Sequence, residues 1–255
     1  MASHLQLIVM ARLIGLDSDG RARMLRWAAS TPDILGVLNL RGALAIPVLL
    51  DLDRYSDKLK PERVTLGGWA SMLFEAAANG ILSAAKANAT IIDCVAPSLD
   101  TTILADAYML RPLGNTPRAF AAIKADRNLI PDVANEVVRL APPIRAFNRQ
   151  AVADYPAGAE IVRKGQRVLV VDASANRDER RFPDADMFEI RRNPRDQIGW
   201  GYGVHSCAGI YLARLELESL LRALVLHVDR VETAQPPQLR NNLPRGFSRL
   251  KLRLH

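Results

Sequence analysis

The chain has 255 residues with a formal net charge of +7, and it is 49% hydrophobic and 24% charged. That composition excludes a disordered chain, and two cysteines, Cys94 and Cys207, do not make a disulfide framework. No apolar run reaches the ~20 residues of a membrane span, and no signal peptide stands out, so a cytoplasmic protein is expected. The lysines and arginines are scattered, with no basic stripe interleaved with aromatics. A basic balance raises the question of nucleic acid or an acidic partner, and the scatter weakens the first.

Residues 4–57 read as mainly helical. Asp17-Ser18-Asp19-Gly20 forms a turn ahead of a helix through Met24, Trp27 and Ala28. Pro47 is expected to interrupt or begin a later helix. Residues 58–67 read as a loop, and Gly67-Gly68 leads into a helix through Trp69, Leu73 and Ala77 that stops at Asn79-Gly80. A long helical pattern runs from about Ala84 to Leu110, broken at Pro97. Pro117–Ala125 and Ile130–Leu140 are two further helices, the second closed by Pro142-Pro143. After Pro143 the pattern changes to short β-like runs at Val152, Ile161 and Val168–Val171, with Gly158 and Gly165 as turn formers. Residues 174–199 read as a charged loop. A helix after Cys207, apolar at Ala213, Leu217, Leu220, Leu221 and Leu224, ends near Val228. The tail is Pro-rich and then alternates at Phe247, Leu250, Leu252 and Leu254, as a terminal strand does. The fold class expected is mainly α with a small β part.

The densest chemical signal is Trp200-Gly201-Tyr202-Gly203-Val204-His205-Ser206-Cys207-Ala208-Gly209. Gly201 and Gly203 allow dihedrals that other residues avoid, and Gly209 allows close approach beyond the cysteine. A cysteine at the mouth of a helix is a candidate thiolate, tuned by backbone N–H groups and the positive helix end. Such a sulfur can bind a metal. A lone cysteine is more often a buried structural cysteine in a tight turn, and a further reading makes Cys207 a nucleophile with His205 as base. The last ranks lowest, because residues two apart around a tight loop rarely face one substrate.

This loop resembles the haem-ligand loop of the cytochrome P450 family, with Trp200 standing where the pattern usually has Phe. The resemblance implies that Cys207 is the axial thiolate of haem b iron and that His205 bonds a haem propionate. Trp200, Gly201, Gly203 and Gly209 would shape the pocket beside the sulfur. Glu136-Val137-Val138-Arg139 is, in isolation, a common surface pair. Its place on a helix before Pro142-Pro143 resembles the family's Glu-x-x-Arg motif, which implies a buried structural network rather than catalysis. Burying such a pair requires every charge to be partnered, so a third cation is expected from residues 174–192. Many relatives have arginine where this chain has Met187, and Arg191 and Arg192 both remain open for the role. Arg149 would be a second propionate ligand.

By the same resemblance, residues 84–112 form the helix region over the haem. There Asp100 and Thr101 would deliver protons to oxygen, and Pro97-Ser98 replaces the usual Ala-Gly. On the residues alone, Ser98 would simply cap a helix starting at Leu99. Residues 200–228 would be the haem-ligand loop and the helix after it. Residues 1–255 read as a single, incomplete P450-like domain lacking its N-terminal portion, since only about 80 residues precede the haem-covering helix. The implied function is a monooxygenase that inserts one atom of O2 into an organic substrate. Electrons would come from NAD(P)H through a ferredoxin-type donor and its reductase. Pro97-Ser98-Leu99-Asp100-Thr101-Thr102 and Asn176-Arg177-Asp178-Glu179-Arg180 resemble members acting on small aromatic acids. The alternative is a truncated, non-catalytic remnant that holds haem weakly or not at all, its apolar surface exposed by the missing part.

Overall fold

The structure, a computed structural model, describes residues 2–35, 39–235, 238–241 and 244–255. The expected proline-rich stretch at Pro236-Pro237 lies outside the described residues. The chain divides into two units, residues 1–107 with 240–247 and residues 108–239 with 248–255.

In the first unit Asp17 sets the N-terminus of a helix. Its carboxylate accepts from the Gly20 N–H at 2.8 Å, satisfying a donor that the first helical turn leaves free. Helices α1 (Ala2–Ile14), α2 (Ser18–Ile34), α3 (Leu40–Lys58), α4 (Trp69–Ala78) and α5 (Ala84–Val95) follow in order. α2 packs on α3, α4 on α5, and α1 against α2, α4 and α5. The core takes Met24, Trp27, Leu52, Tyr55, Ile91 and Val95. Arg23 lies over both the Trp27 and Tyr55 rings, at 5.0 and 4.9 Å, and its charge is met by Asp51.

Pro47 neither interrupts nor begins a helix; it sits within α3. One missing N–H and its clash cost about 3 kcal/mol in a bare helix, and the packing of α3 on α2 and α5 outweighs that here. The break at Pro97 is present: Ala96–Leu99 form a turn between α5 and α6 (Asp100–Asn115).

In the second unit, α7 (Pro117–Ala125) and α8 (Ile130–Leu140) pack on α10 (Ile210–His227). Buried Phe120, Ile123, Val133, Val137, Leu217, Leu221 and Leu224 fill the space among them. α7 starts with its proline at the first helical position, where a missing N–H costs nothing. The β part is a set of two-stranded sheets. β1 (Phe147–Gln150) pairs antiparallel with β4 (Arg167–Val170), placing Arg149 opposite Val168. β2 (Tyr155–Ala157) pairs with β3 (Glu160–Val162). Val152 lies in a bend between strands, because the chain must turn from β1 into that hairpin. Between β4 and the cysteine loop, the helical structure is the four-residue α9 (Asp172–Ala175) and then a short 3-10 turn, Gly203–His205. β5 (Val231–Thr233) pairs with β8 (Leu252–Leu254), and the chain also forms β6 (Gln238–Asn241) and β7 (Arg245–Arg249), paired with each other, across the stretch where the chain passes through residues 240–247 of the first unit. The mainly α fold with a small β part is therefore what the residues build.

Candidate functional site: the cysteine loop and its buried anchor

Glu136 and Arg139 lie one turn apart on α8, and both are 0% exposed. Arg139 grips Glu136 with two bonds, Nε to Oε2 at 2.6 Å and an amino group to Oε1 at 2.8 Å. Its remaining N–H groups donate to the carbonyls of Asn176 (2.7 Å), Ala185 (2.8 Å) and Met187 (3.3 Å). Glu136 Oε1 also accepts from the Glu189 N–H and from Arg192 Nε, both at 3.2 Å. The third cation is thus Arg192, which in turn donates to the Pro183 and Asp184 carbonyls. The Arg191 backbone N–H turns to the Glu189 carboxylate instead. A buried ion pair is tolerable only when it is saturated in this way.

The network continues to the cysteine loop through Asn176. Asn176 offers its backbone carbonyl to Arg139, while its side-chain oxygen accepts from the Ile198 N–H at 2.8 Å. Its amide reaches Gln197 Oε1 at 3.4 Å, and that oxygen accepts from the Gly199 N–H at 2.6 Å. Gly199 lies against α8, where a Cβ would come within 2.8 Å of the Val138 carbonyl. Asn176 and Gln197 are buried; sequence reasoning marked Asn176 only within a family-like stretch and missed Gln197. Their roles depend on how residues 174–199 fold back, which no periodicity encodes.

The loop itself closes on one bond, from the Cys207 N–H to the Trp200 carbonyl at 2.7 Å. Gly201 has φ +75° and Gly203 φ +61°, both in the left-handed region. At Gly201 a Cβ would also stand 2.5 Å from the His205 carbonyl oxygen. Cys207 and His205 are exposed, and α10 begins three residues after the cysteine. Gly209 faces the thiol, with Cys207 Sγ 3.8 Å from where its Cβ would be. Cys207 is therefore not a buried structural cysteine. Trp200 Nε1 and Arg214 Nε are buried without partners among the described residues, and the Arg214 guanidinium lies 6.0 Å over the Trp200 ring.

Arg149, on β1, is half-buried, stacks 5.4 Å from the Phe147 ring and donates to the Asn148 carbonyl. It is also the cation felt by buried Asp172. Burial pushes the Asp172 carboxyl up, and Arg149 partly offsets this. In the first unit, Asp100 opens α6 and is buried. The Thr101 hydroxyl donates to the Pro97 carbonyl at 2.7 Å and the Thr102 hydroxyl to the Ser98 carbonyl at 3.2 Å. With its proton held by Pro97, Thr101 has only its lone pairs left to offer, as an acceptor. Ser98 donates back to the Val95 carbonyl, and the helix starts at Asp100 rather than Leu99.

Comparisons with known proteins give the chain its family. The family model for cytochrome P450 matches residues 68–252. The chain is 30% identical over 256 residues to cytochrome P450 CYP199A2 of Rhodopseudomonas palustris, covering 100% of this chain and 62% of that protein. A beta-dihydromenaquinone-9 omega-hydroxylase of Mycobacterium tuberculosis is 35% identical over 141 residues, 55% of this chain and 29% of its own. Among solved structures, P450BioI in complex with an acyl carrier protein superposes with a TM-score of 0.90 at 25% identity, over 100% of this chain and 67% of that one. CYP108D1 of Novosphingobium aromaticivorans gives 0.81 at 24%, over 100% and 62%. The chain belongs to the cytochrome P450 family. It spans 62% of the length of the first of these relatives and 29% of the second.

Haem is the group this family implies, and the residues fit it. An exposed thiol stands beside glycines that admit a bulky neighbour, and two buried donors beside the loop lack acceptors. No cluster of three or more His, Cys, Asp or Glu side chains suited to a bare metal ion occurs among the described residues.

Proposed function

We propose that this chain carries the haem-binding part of a haem-thiolate monooxygenase, with Cys207 as the axial ligand. The observation that carries the reading is the tie from the buried Glu136–Arg139 pair, through Asn176 and Gln197, to the loop that presents Cys207. A ligand loop hung from a saturated buried anchor holds its sulfur in one place, as precise ligation requires. Haem, when bound, supplies the iron chemistry that activates O2. Cys207 would donate electron density to the iron, and Arg149 and His205 would hold the propionates. Asp100 and Thr101 hold and pass protons at the start of α6, with Thr101 kept oriented by Pro97. The turn at Ala96–Leu99 shapes the wall of the oxygen groove. Residues 1–255 act as one P450-like domain in this reading, with 84–112 as the distal region and 200–228 as the ligand loop and its helix.

The substrate proposed is a small aromatic acid. The electron source proposed is NAD(P)H through a reductase and an acidic ferredoxin-type donor, matched to a chain of net charge +7. A cytoplasmic setting goes with that supply, and among the described residues no helix is long and apolar enough to cross a membrane.

The deciding experiment is the reduced carbon-monoxide difference spectrum of the chain expressed with haem precursor. A red-shifted Soret band supports the reading. No haem, or the band of a lost thiolate, overturns it in favour of a non-catalytic remnant. Substituted benzoates should perturb the haem spectrum; a perturbation by unrelated ligands alone rejects the aromatic-acid assignment.

A further inference from the structure

One buried acid lies apart from the cysteine loop and its network, in the first unit. Asp106 on α6 and Gln6 on α1 are both 0% exposed. Gln6 Nε2 donates to Asp106 Oδ2 at 3.0 Å. The other two oxygens of the same pair, Gln6 Oε1 and Asp106 Oδ1, are buried and without partners among the described residues. Two unpaired acceptors on facing groups are what remains when one proton is left out. An ionised carboxylate and an amide carbonyl only accept, whereas a neutral acid supplies an O–H and matches the amide donor for acceptor. Turning the amide over gives no relief to an ionised Asp106, since each arrangement pairs one oxygen and strands another.

We propose that Asp106 carries a proton on Oδ1 and closes a cyclic acid–amide pair with Gln6, a clasp between α1 and α6 that opens when the proton is lost. The step is a simple exchange. One proton from solvent binds Oδ1, the Oδ1–H donates to Gln6 Oε1, and the existing Gln6 Nε2 bond stays. Stranding a buried acceptor is unfavourable, so the closed form is the better satisfied one.

Burial holds the Asp106 carboxyl up, at about 6, against the opposing pull of the Gln6 bond. Among the described residues no charged side chain contributes to that shift. This holds for His4 and Arg12 on α1, Lys86 and Asp93 on α5, and Asp100 and Arg111 on α6, and for the charged residues of α2 and α4. The sign follows from the direction. A carboxyl raised above its ordinary 3.8 contributes stability that is complete below that value and is lost as pH rises through about 6. The clasp therefore ties α1 to the helix that carries Asp100 and Thr101 more firmly in mild acid than at neutral pH. It does not depend on haem chemistry.

The test is equilibrium unfolding of the intact chain across this pH range, with Asp106→Asn and Gln6→Met. An asparagine amide keeps the two-bond pair at every pH. Asp106→Asn should therefore flatten the fall in stability through pH 6. At pH 8 it should favour folding on the order of a hundredfold over wild type. Gln6→Met alone should cost more stability at pH 5 than at pH 8, because the second bond of the pair exists only while Asp106 holds its proton. A wild-type stability that is level through pH 6 overturns the proposal. So does a Gln6→Met cost that is the same at pH 5 and pH 8, which would mean that the proton adds no bond to Gln6. Should Asp106→Asn fail to fold, carbon-13 NMR of aspartate-labelled wild type decides. One carboxyl should titrate near pH 6 and move in Gln6→Met; the absence of such a resonance rejects the clasp.

Discussion

Cys207 and Gly201 show how much rests on single atoms. Replacing sulfur by oxygen in Cys207→Ser leaves the loop's closing bond to Trp200 intact, because that bond uses the backbone N–H. The substitution should therefore keep the fold and abolish the thiolate-type haem spectrum. A retained wild-type spectrum would remove Cys207 as ligand. Gly201→Ala attacks the same loop through its backbone. An alanine there must hold φ +75° and meet the His205 carbonyl, a strain of at least ~1–2 kcal/mol. Lower haem occupancy at an unchanged ligand identity is the expected result, read as haem per protein after purification. Thr101→Ala is expected to keep haem but waste oxygen. Its hydroxyl lies on α6, and coupling of oxygen uptake to product is the measurement that checks it.

At the scale of elements, α8 is the anchor. Glu136→Gln leaves Arg139 and Arg192 facing a neutral amide, an uncompensated burial that should cost ~3–5 kcal/mol. Glu136→Met with Arg139→Met should cost less than the sum of the two single changes, since the pair leaves together and only Arg192, still bonded to the Pro183 and Asp184 carbonyls, keeps its charge. Denaturant midpoints of the three variants check this, and strict additivity would mean that the two residues do not act as a unit. How much of this was legible differs by element. Helices α4, α7 and α8 announce themselves through a glycine pair, an N-terminal proline and a terminal proline pair, all local signals. Pro47 misled because its cost is local while its compensation comes from packing on α2 and α5. Arg191 and Arg192 could not be told apart, because neighbours in a loop differ only in direction. The roles of Asn176 and Gln197 depend on two loops meeting, and spacing along the chain carries no trace of that.

At the scale of the first unit, pH acts from two sides. Asp17 and Asp51 are half-buried, which would raise them, yet the Gly20 N–H, Tyr55, Trp27 and the arginines around them hold both below the ordinary carboxylate value. Their contribution is present above about 3.8 and is lost as pH falls. Asp106 runs the other way, losing its contribution as pH rises through about 6. Stability of this unit should therefore peak between those two limits. Unfolding followed by Trp27 fluorescence across pH 3–8 is the check, and a maximum at pH 8 would contradict it.

The anchor of the cysteine loop also carries a message about time. Its bonds join residues 37, 46, 48 and 56 positions apart along the chain. Closures of that length are slow to find and contribute only after the segments between them are already placed. We expect α8 to form early and the Arg139–Asn176 tie to form late in folding. A lesion at Asn176 would then hasten unfolding while barely slowing refolding. The lifetime of the ligand loop in its working form would be set by how fast this last knot comes undone.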